Sequence, residues 1–279
     1  MRKTKLFKMD NVKVLRMPIL KIIPFGKFSN YQLNRQLDKI KIFLEEEDFI
    51  PDVITGHWEN PQIDLIFELK KCYTNAKTSV VIHVTKYIDN IDLRTKILSF
   101  DSIGFRNKTL LNKFVEDYKI KYSNLYTCYS GLPENFFESI NYDFVGSKFE
   151  EEILSIVYVG LFLKRKYPES LVKAVYYVKN RVNIRIDYVG EGNEQRNVKK
   201  LVEKFNLSEK VKFHNRINRD EVKNILFDSQ VFIMISEDEA FGLVYLEAMA
   251  CGCIVVASRN EGFDGIIEDG FNGFLCKAG

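Results

Sequence analysis

From Ile153 onward, short uninterrupted apolar runs alternate with stretches of helical period, and this alternation restricts the fold more than any other feature of the chain. The runs are Ile153–Gly160, Val182–Gly190, Val211–His214, Val231–Ile235 and Ile254–Ala257. Between them lie Glu169–Lys179, Glu194–Phe205, Asp220–Phe227 and Leu243–Ala250, each patterned as an amphipathic helix. A strand that is apolar at nearly every position has both faces buried. That requires a parallel sheet with helices on both sides, joined by right-handed crossovers.

The first half is α/β as well, with weaker patterning. Val12–Ile23 reads as extended and Tyr31–Glu46 as a periodic helix. Asp52–Thr55 and Val80–Val84 read as short strands around a helix at Gln62–Tyr73. Ser99–Phe105 and Leu125–Cys128 read as two more strands, with Lys108–Tyr118 helical between them. These elements predict a second Rossmann-like lobe, residues 1–147, ahead of the lobe at 148–279. Gly146, Ser147 and Lys148 mark the change, because a fresh strand follows them.

Bulk properties exclude several function classes. A chain of 279 residues is long enough to bury cores without disulfide or metal staples. The five cysteines form no CxxC pair, which argues against a disulfide framework or a zinc site and for a reduced, cytoplasmic chain. No apolar run reaches the length of a membrane span. A net charge of +3 does not describe a nucleic-acid binder. Residues 1–30 are nonetheless basic, with Arg2, Lys3, Lys5, Lys8, Lys13, Arg16, Lys21 and Lys27 against Asp10 alone. Such an end suits peripheral contact with an acidic membrane face, or a merely solvated terminus.

The chemistry concentrates between Ser236 and Ser258. Glu239 and Glu247 stand eight residues apart, with Phe241-Gly242 between them and apolar runs on either side. Strand, polar turn, helix, strand is the order read there. It places a helix N-terminus at the carboxyl end of a parallel strand, where nucleotides bind in open α/β sheets. Free amides and the positive dipole end suit a diphosphate. Helix side chains lean toward the N-terminus, so Glu247 reaches the same zone as Glu239. Two carboxylates flanking a phosphate cradle can accept hydrogen bonds from sugar hydroxyls at both ends of a nucleotide sugar. A plainer alternative makes Phe241, Leu243, Leu246 and Met249 helix core and the acids a solvated face.

Glu239, Phe241, Gly242, Glu247 and the run Ala248–Gly252 match in order the E-x7-E motif of the retaining glycosyltransferases of family 4, which have the GT-B fold. The sequence resembles that family strongly from Ile153 onward and weakly before it. The resemblance implies two Rossmann-like lobes facing a cleft, an acceptor-side lobe at 1–147 and a nucleotide-sugar-binding lobe at 148–279. It also implies transfer of a hexose from a nucleoside diphosphate sugar to a hydroxyl acceptor with retained configuration, in polysaccharide or glycolipid biosynthesis. The acceptor class is a glycan, a lipid-linked sugar or a glycolipid. A degenerate or truncated member that binds the nucleotide sugar without transferring it is the alternative.

Further segments carry the same resemblance. Val157–Lys166 is similar to the family's strand followed by Gly-Arg-Leu and a later Lys, where the two cations clamp the donor diphosphate. Lys166 falls on the Lys, but Leu161 stands at the Arg position, leaving Arg165 or Lys164 to supply the second charge. Val189-Gly190-Glu191-Gly192 resembles the family's Gly-acid-Gly turn. Ile217, after VKFHNR, falls where the family contacts the base; His214 reads as a strand-end structural residue. Of the other histidines, His83 matches the family's cleft-facing His better than His57, because it closes a β-rich run. Glu261–Gly270 is similar to a turn and helix on the rim of the donor site.

The implied catalytic residues are therefore Glu239 and His83. The implied donor-binding residues are Lys166, Arg165, Ile217, Phe241, Gly242, Leu243 and Glu247. Glu237-Asp238-Glu239 also suits a metal-held diphosphate. The Phe-Gly-helix-Glu pattern downstream favours a metal-independent reaction, with no cofactor beyond the nucleotide-sugar co-substrate. Two departures stand out. Pro24-Phe25-Gly26 is a poor copy of the family's early Gly-rich loop, and the sequence stops at Gly279, before the family's terminal helix. A compact variant, or a reading frame cut at one or both ends, is expected on that pattern.

Overall fold

The computed structural model describes residues 4–18, 28–58, 61–83, 91–119, 123–138 and 140–279. Arg2, Lys3, Lys21, Lys27, Val84 and Pro24-Phe25-Gly26 lie outside the described residues. The chain divides into two compact units. One is Met1–Phe105 with Phe114–Cys128, and the other is Arg106–Lys113 with Tyr129–Gly279.

The first unit opens with an antiparallel hairpin, β1 (Lys5–Met9) and β2 (Val12–Arg16), in which Lys5 faces Arg16 and Met9 faces Val12. The extended reading of Val12 onward therefore belongs to a hairpin outside the parallel sheet. Helix α1 (Asn30–Glu46) follows. A capping box starts it: the Ser29 hydroxyl accepts from the Gln32 amide, and the Gln32 side chain accepts from the Ser29 amide. The sheet is β3 (Val53–His57), β4 (Lys77–Ile82), β5 (Ser102–Phe105) and β6 (Leu125–Thr127), all parallel and adjacent in chain order. Its crossovers carry α2 (Gln62–Cys72), α3 (Ile91–Leu98) and α4 (Lys108–Tyr118), the last with its start, up to Lys113, counted in the second unit. Strand β5 begins later than the sequence indicates, because the Ser99 and Phe100 amides close the last turn of α3 on Lys96 and Ile97 carbonyls.

The second unit begins with two short helices, α5 (Asn135–Glu138) and α6 (Tyr142–Ser147). There follow β7 (Leu154–Val159), α7 (Pro168–Val178), β8 (Ile184–Val189), α8 (Gln195–Lys204), β9 (Val211–His214), α9 (Arg219–Phe227), β10 (Val231–Ile233), α10 (Leu243–Ala250), β11 (Ile254–Ser258) and β12 (Phe274–Cys276). The six strands are parallel in the order β12-β11-β10-β7-β8-β9. The chain winds outward from β7 to β9, then returns to the other side of β7 at β10. This is the doubly wound arrangement, and its switch point lies between the carboxyl ends of β7 and β10. Val157, Val172, Ile186, Tyr188, Phe232, Tyr245, Val255 and their neighbours fill both faces.

The segment after β11 corrects one expectation. Residues 261–273 form turns and isolated bridges, Asp264 with Ile267 and Asp269 with Gly273, and no helix. Gly265 and Gly270 sit at φ 92° and 82°, outside helical space. Among the described residues no helix is long and apolar enough to cross a membrane.

Candidate active site

Two loops meet at the switch point of the second unit. The loop after β7 runs through Gly160 and Leu161 to a single 3-10 turn, Lys164–Lys166, closed by the Lys166 amide on the Leu163 carbonyl at 2.9 Å. Tyr167, at φ 42°, then turns the chain into α7, whose first residue is Pro168. The Gly-acid-Gly turn after β8 holds this loop in place. The Phe162 amide donates to the Glu191 carbonyl, and the Glu194 amide donates to the Phe162 carbonyl, both at 2.9 Å. Gly190 sits at φ 125°, and a Cβ there would lie 2.1 Å from the Gly160 carbonyl oxygen, so only glycine permits the approach.

The loop after β10 carries Ser236 to Gly242. Lys166 Nζ lies 3.2 Å from Glu239 Oε2, each side chain only 13% exposed. The Ser236 hydroxyl donates to the same oxygen at 3.3 Å, and Arg165 Nη1 stands 3.9 Å from it. Arg165 has a different main engagement. Its Nη1 donates to the carbonyl oxygens of Glu237 and Asp238, each at 3.1 Å, while the Glu237 amide donates to the Arg165 carbonyl at 2.7 Å. Tyr245 donates to the Met234 carbonyl at 2.6 Å from beneath. Burial, then the nearby Glu239 charge, raise the Tyr158 hydroxyl pKa; burial foremost also raises that of Tyr245. Both phenols therefore stay neutral, Tyr158 donating to the Leu161 carbonyl at 2.9 Å and Tyr245 to that of Met234.

Helix α10 opens at Gly242, a left-handed N-cap at φ 77°. A Cβ at this position would come within 2.4 Å of the Tyr245 ring. The first amides of α10 have no acceptor within the helix, and they face the loop end with the positive end of the dipole. Phe241 beside the cap is core: its ring packs on Phe263 at 5.5 Å, and the Arg106 guanidinium covers it at 5.0 Å. Leu243 is half-buried. Glu247, 12% exposed, holds Arg219 Nη2 at 2.6 Å from Oε1, linking α10 to the first turn of α9. Ile217, two residues before Arg219, is partly buried against the core cluster.

The remaining residues singled out in the sequence fall elsewhere. Leu161, at the family's Arg position, is 55% exposed and brings no charge. His214 Nε2 hydrogen bonds with Asp187 Oδ1 at 2.7 Å on the opposite edge of the sheet from β11 and β12. His83 follows β4 in the first unit, where its ring stacks on Trp58 at 4.1 Å and meets His57 edge-on at 5.7 Å. The structure thus brings Glu239, Lys166 and Arg165 together and sets Gly242, Leu243 and Glu247 on the adjoining helix. Three residues about these acids were not singled out for the site. Ser236 touches Glu239, Arg219 pairs with Glu247, and Glu261 accepts from the Glu239 amide at 2.8 Å. Ser236 and Glu261 left a trace in the sequence, one as the start of the Ser236–Ser258 stretch and the other in the rim-like segment after β11, and Arg219 left none.

The family of glycosyl transferases group 1 matches residues 140–279, half of the chain. The chain belongs to that family. Among its relatives, N-acetyl-alpha-D-glucosaminyl L-malate synthase of Bacillus anthracis is 33% identical over 124 residues, which is 44% of this group 1 chain and 32% of the synthase. An uncharacterized glycosyltransferase of Methanocaldococcus jannaschii is 26% identical over 96% of this chain and 72% of its own length. The chain therefore spans about a third of some curated relatives it matches and most of another. Among solved structures, sucrose-phosphate synthase from Thermosynechococcus elongatus superposes with a TM-score of 0.71 at 19% identity, covering 98% of this chain and 72% of that one. Anabaena HepE in complex with UDP and glucose gives 0.66 at 18% identity, covering 92% and 71%. The group 1 chain has the GT-B-like fold of these neighbours, with two Rossmann-like α/β lobes.

Proposed function

We propose that this group 1 chain transfers a hexose from a nucleoside diphosphate sugar to a hydroxyl acceptor, with retention of configuration and without a metal. The observation that carries the reading is the Lys166–Glu239 pair. It bridges the two loops of the switch point beside the N-terminus of α10, where open α/β sheets bind nucleotides. Relatives and neighbours support the class: a glucosaminyl malate synthase by sequence, and a UDP-bound protein by fold.

Each residue has a role in this reading. The Lys166 ammonium and the amides from Phe241 to Leu243 take the diphosphate, where negative charge grows as the sugar–phosphate bond breaks. The contacts of Glu239 with Lys166, Arg165 and Ser236 all fall on Oε2, so Oε1 is the oxygen we assign to a donor-sugar hydroxyl. Glu247 accepts from the ribose, and Ile217 lies against the base. Arg165 contributes charge while holding the loop of Glu237 and Asp238. His83, in the first lobe, serves the acceptor or the sugar. The anomeric carbon–oxygen bond to the diphosphate breaks, and the acceptor oxygen bonds the same face of that carbon. The acceptor proton passes to the departing diphosphate oxygen. No resident cofactor takes part.

Thermal shifts against a panel of UDP-, GDP- and ADP-sugars test binding, because a ligand of the folded state raises the melting temperature by mass action. Release of nucleoside diphosphate from the sugar that binds, with and without saccharide acceptors, tests transfer. A protein stabilised by none of the panel overturns the reading. A second reading, binding without transfer, is favoured by the uncharged Leu161 at the family's Arg position. Stabilisation by a donor that is never cleaved would establish it.

A further inference from the structure

We infer that Glu261 is a positioning residue that fixes the direction of the Glu239 carboxylate by gripping the backbone that carries it. The inference deepens the proposed transferase reading and rests on it, since it gives Glu239 the donor sugar to hold.

The loop from Glu237 to Glu239 is held from two sides by opposite charges. On one side, Arg165 donates to the carbonyl oxygens of Glu237 and Asp238. On the other, Glu261 Oε2 accepts from the Glu239 amide at 2.8 Å, and the neighbouring Asp238 amide also favours its charged form. Asp238 is in the left-handed region at φ 54°, a conformation that costs free energy and persists only where the surroundings enforce it. A guanidinium on the carbonyls and a carboxylate on the amides supply that enforcement, each through charge-assisted hydrogen bonds.

Glu261 is itself rigidly placed. Asn260 before it is left-handed at φ 62°, and its amide donates to Asp264 Oδ2 at 2.5 Å. Gly262 after it lies directly on the loop: a Cβ there would stand 2.6 Å from both the Glu239 carbonyl oxygen and the Phe241 nitrogen. No side chain fits between the two segments. A shift of Glu261 therefore moves the peptide that carries Glu239, and with it the Lys166–Glu239 geometry.

The placement also gives the site a titration signature. Burial raises the Glu261 pKa first, and the Asp238 and Glu237 charges add to it, while the Glu239 and Asp238 amides pull it down. The charged groups around the loop are Glu237, Asp238, Glu239, Arg165 and Lys166, with the neutral phenol of Tyr245 below. Protonation of Glu261, which comes at higher pH than for an ordinary carboxylate, weakens its grip on the amides. Donor cleavage in the native protein should fall on that acid limb.

The test compares E261A, E261Q and E239Q with the native chain. It reads UDP release from a UDP-sugar panel against pH, UDP affinity by calorimetry, and amide exchange of the 236–242 segment by mass spectrometry. A glycosidic centre displaced by a fraction of an ångström loses about tenfold to a hundredfold in rate, so E261A should lower turnover by that factor. Its UDP affinity should stay within about threefold of native, because the diphosphate and ribose contacts are elsewhere. E261Q, if it alone folds, should move the acid limb to lower pH. Faster exchange at the Glu239 amide in either variant supports the grip whether or not a donor in the panel is cleaved. Unchanged exchange, or an E261A enzyme of native turnover beside a crippled E239Q, overturns the inference. An E239Q enzyme of native activity instead overturns the transferase reading, while the exchange measurement still decides whether Glu261 holds the loop.

Discussion

Lys166 Nζ and Glu239 Oε2 stand 3.2 Å apart although they belong to loops that follow different strands, β7 and β10. Both side chains are largely withdrawn from water, so each charge depends on the other. Removing the ammonium leaves a poorly solvated carboxylate and takes away the cation assigned to the diphosphate. Lys166→Met should therefore lower donor cleavage by about a hundredfold or more, the scale of one lost electrostatic contact at a charge-developing atom. It should also destabilise the fold by roughly 1–3 kcal/mol for the unpaired buried charge. Steady-state kinetics and a thermal melt read the two effects separately. A variant that loses neither contradicts both the pairing and the role.

Glu247 and Arg219 make a contact of another kind. At 2.6 Å the geometry is good, but Arg219 is 78% exposed, and ion pairs in water contribute only about 0–1 kcal/mol. Arg219→Ala should leave the melting temperature close to native. Glu247→Ala removes the acceptor proposed for the ribose, and its UDP dissociation constant should rise about tenfold, equivalent to ~1.4 kcal/mol. Under the proposed reading the two acids separate: Glu247→Ala should weaken binding of UDP on its own, whereas Glu239→Gln should weaken only the sugar-bearing donor. Titration calorimetry with UDP and with a UDP-sugar distinguishes them.

Gly242 is the hinge of the sequence motif and is needed for its backbone. At φ 77° a side chain is strained, and its Cβ would overlap the Tyr245 ring at 2.4 Å. Gly242→Ala should cost about 1–3 kcal/mol from the backbone conformation alone. At roughly 2–4 °C per kcal/mol for a domain of this size, the melting temperature should fall by several degrees. A variant that melts at the native temperature would show that the cap can relax.

How much of this was legible in the sequence depends on the range of the interaction. Strand β8 has buried residues at nearly every position and announces itself as a central strand. Helix α10 was placed to the residue, because Gly242 and the apolar run after it are local signals. Helix α3 was not anticipated: only Leu93 and Ile97 of its eight residues are buried, too few to set a period. Strand β12, three residues at the sheet edge with only Leu275 buried, was not anticipated. Glu239 and Lys166 were assigned to one donor site only through the family motif, and their pairing was not foreseen, since nothing local places residues after different strands side by side. Glu261, Arg219 and Lys148 were invisible as partners for the same reason. Lys148 illustrates it best. Its fully buried ammonium donates to the Ser229 and Cys251 carbonyls at 2.6 and 2.9 Å, groups far along the chain that close the ends of α9 and α10.

Asp101 supplies a pH dependence in the first unit. Its carboxylate takes the Thr78 amide and hydroxyl, both at 2.9 Å, and the Lys70 ammonium at 3.3 Å, tying the starts of β4 and β5. The Thr78 amide foremost, then the Thr78 hydroxyl and Lys70, hold its pKa far below the ordinary value against a smaller penalty from burial. A depressed folded-state pKa means that the unfolded chain binds the proton first as pH falls. The stabilisation is therefore whole above the unfolded value of about 4 and is lost progressively below it. Asp101→Asn should destabilise the first unit at neutral pH, because the amide replaces an anionic acceptor with a neutral one and sets a donor against Thr78 or Lys70. The difference between native and variant should shrink as the pH is lowered from 5 to 3, read as urea midpoints with a probe on Trp58, which lies in this unit. A gap that stays constant over that range would mean that Asp101 does not titrate as its hydrogen bonds require.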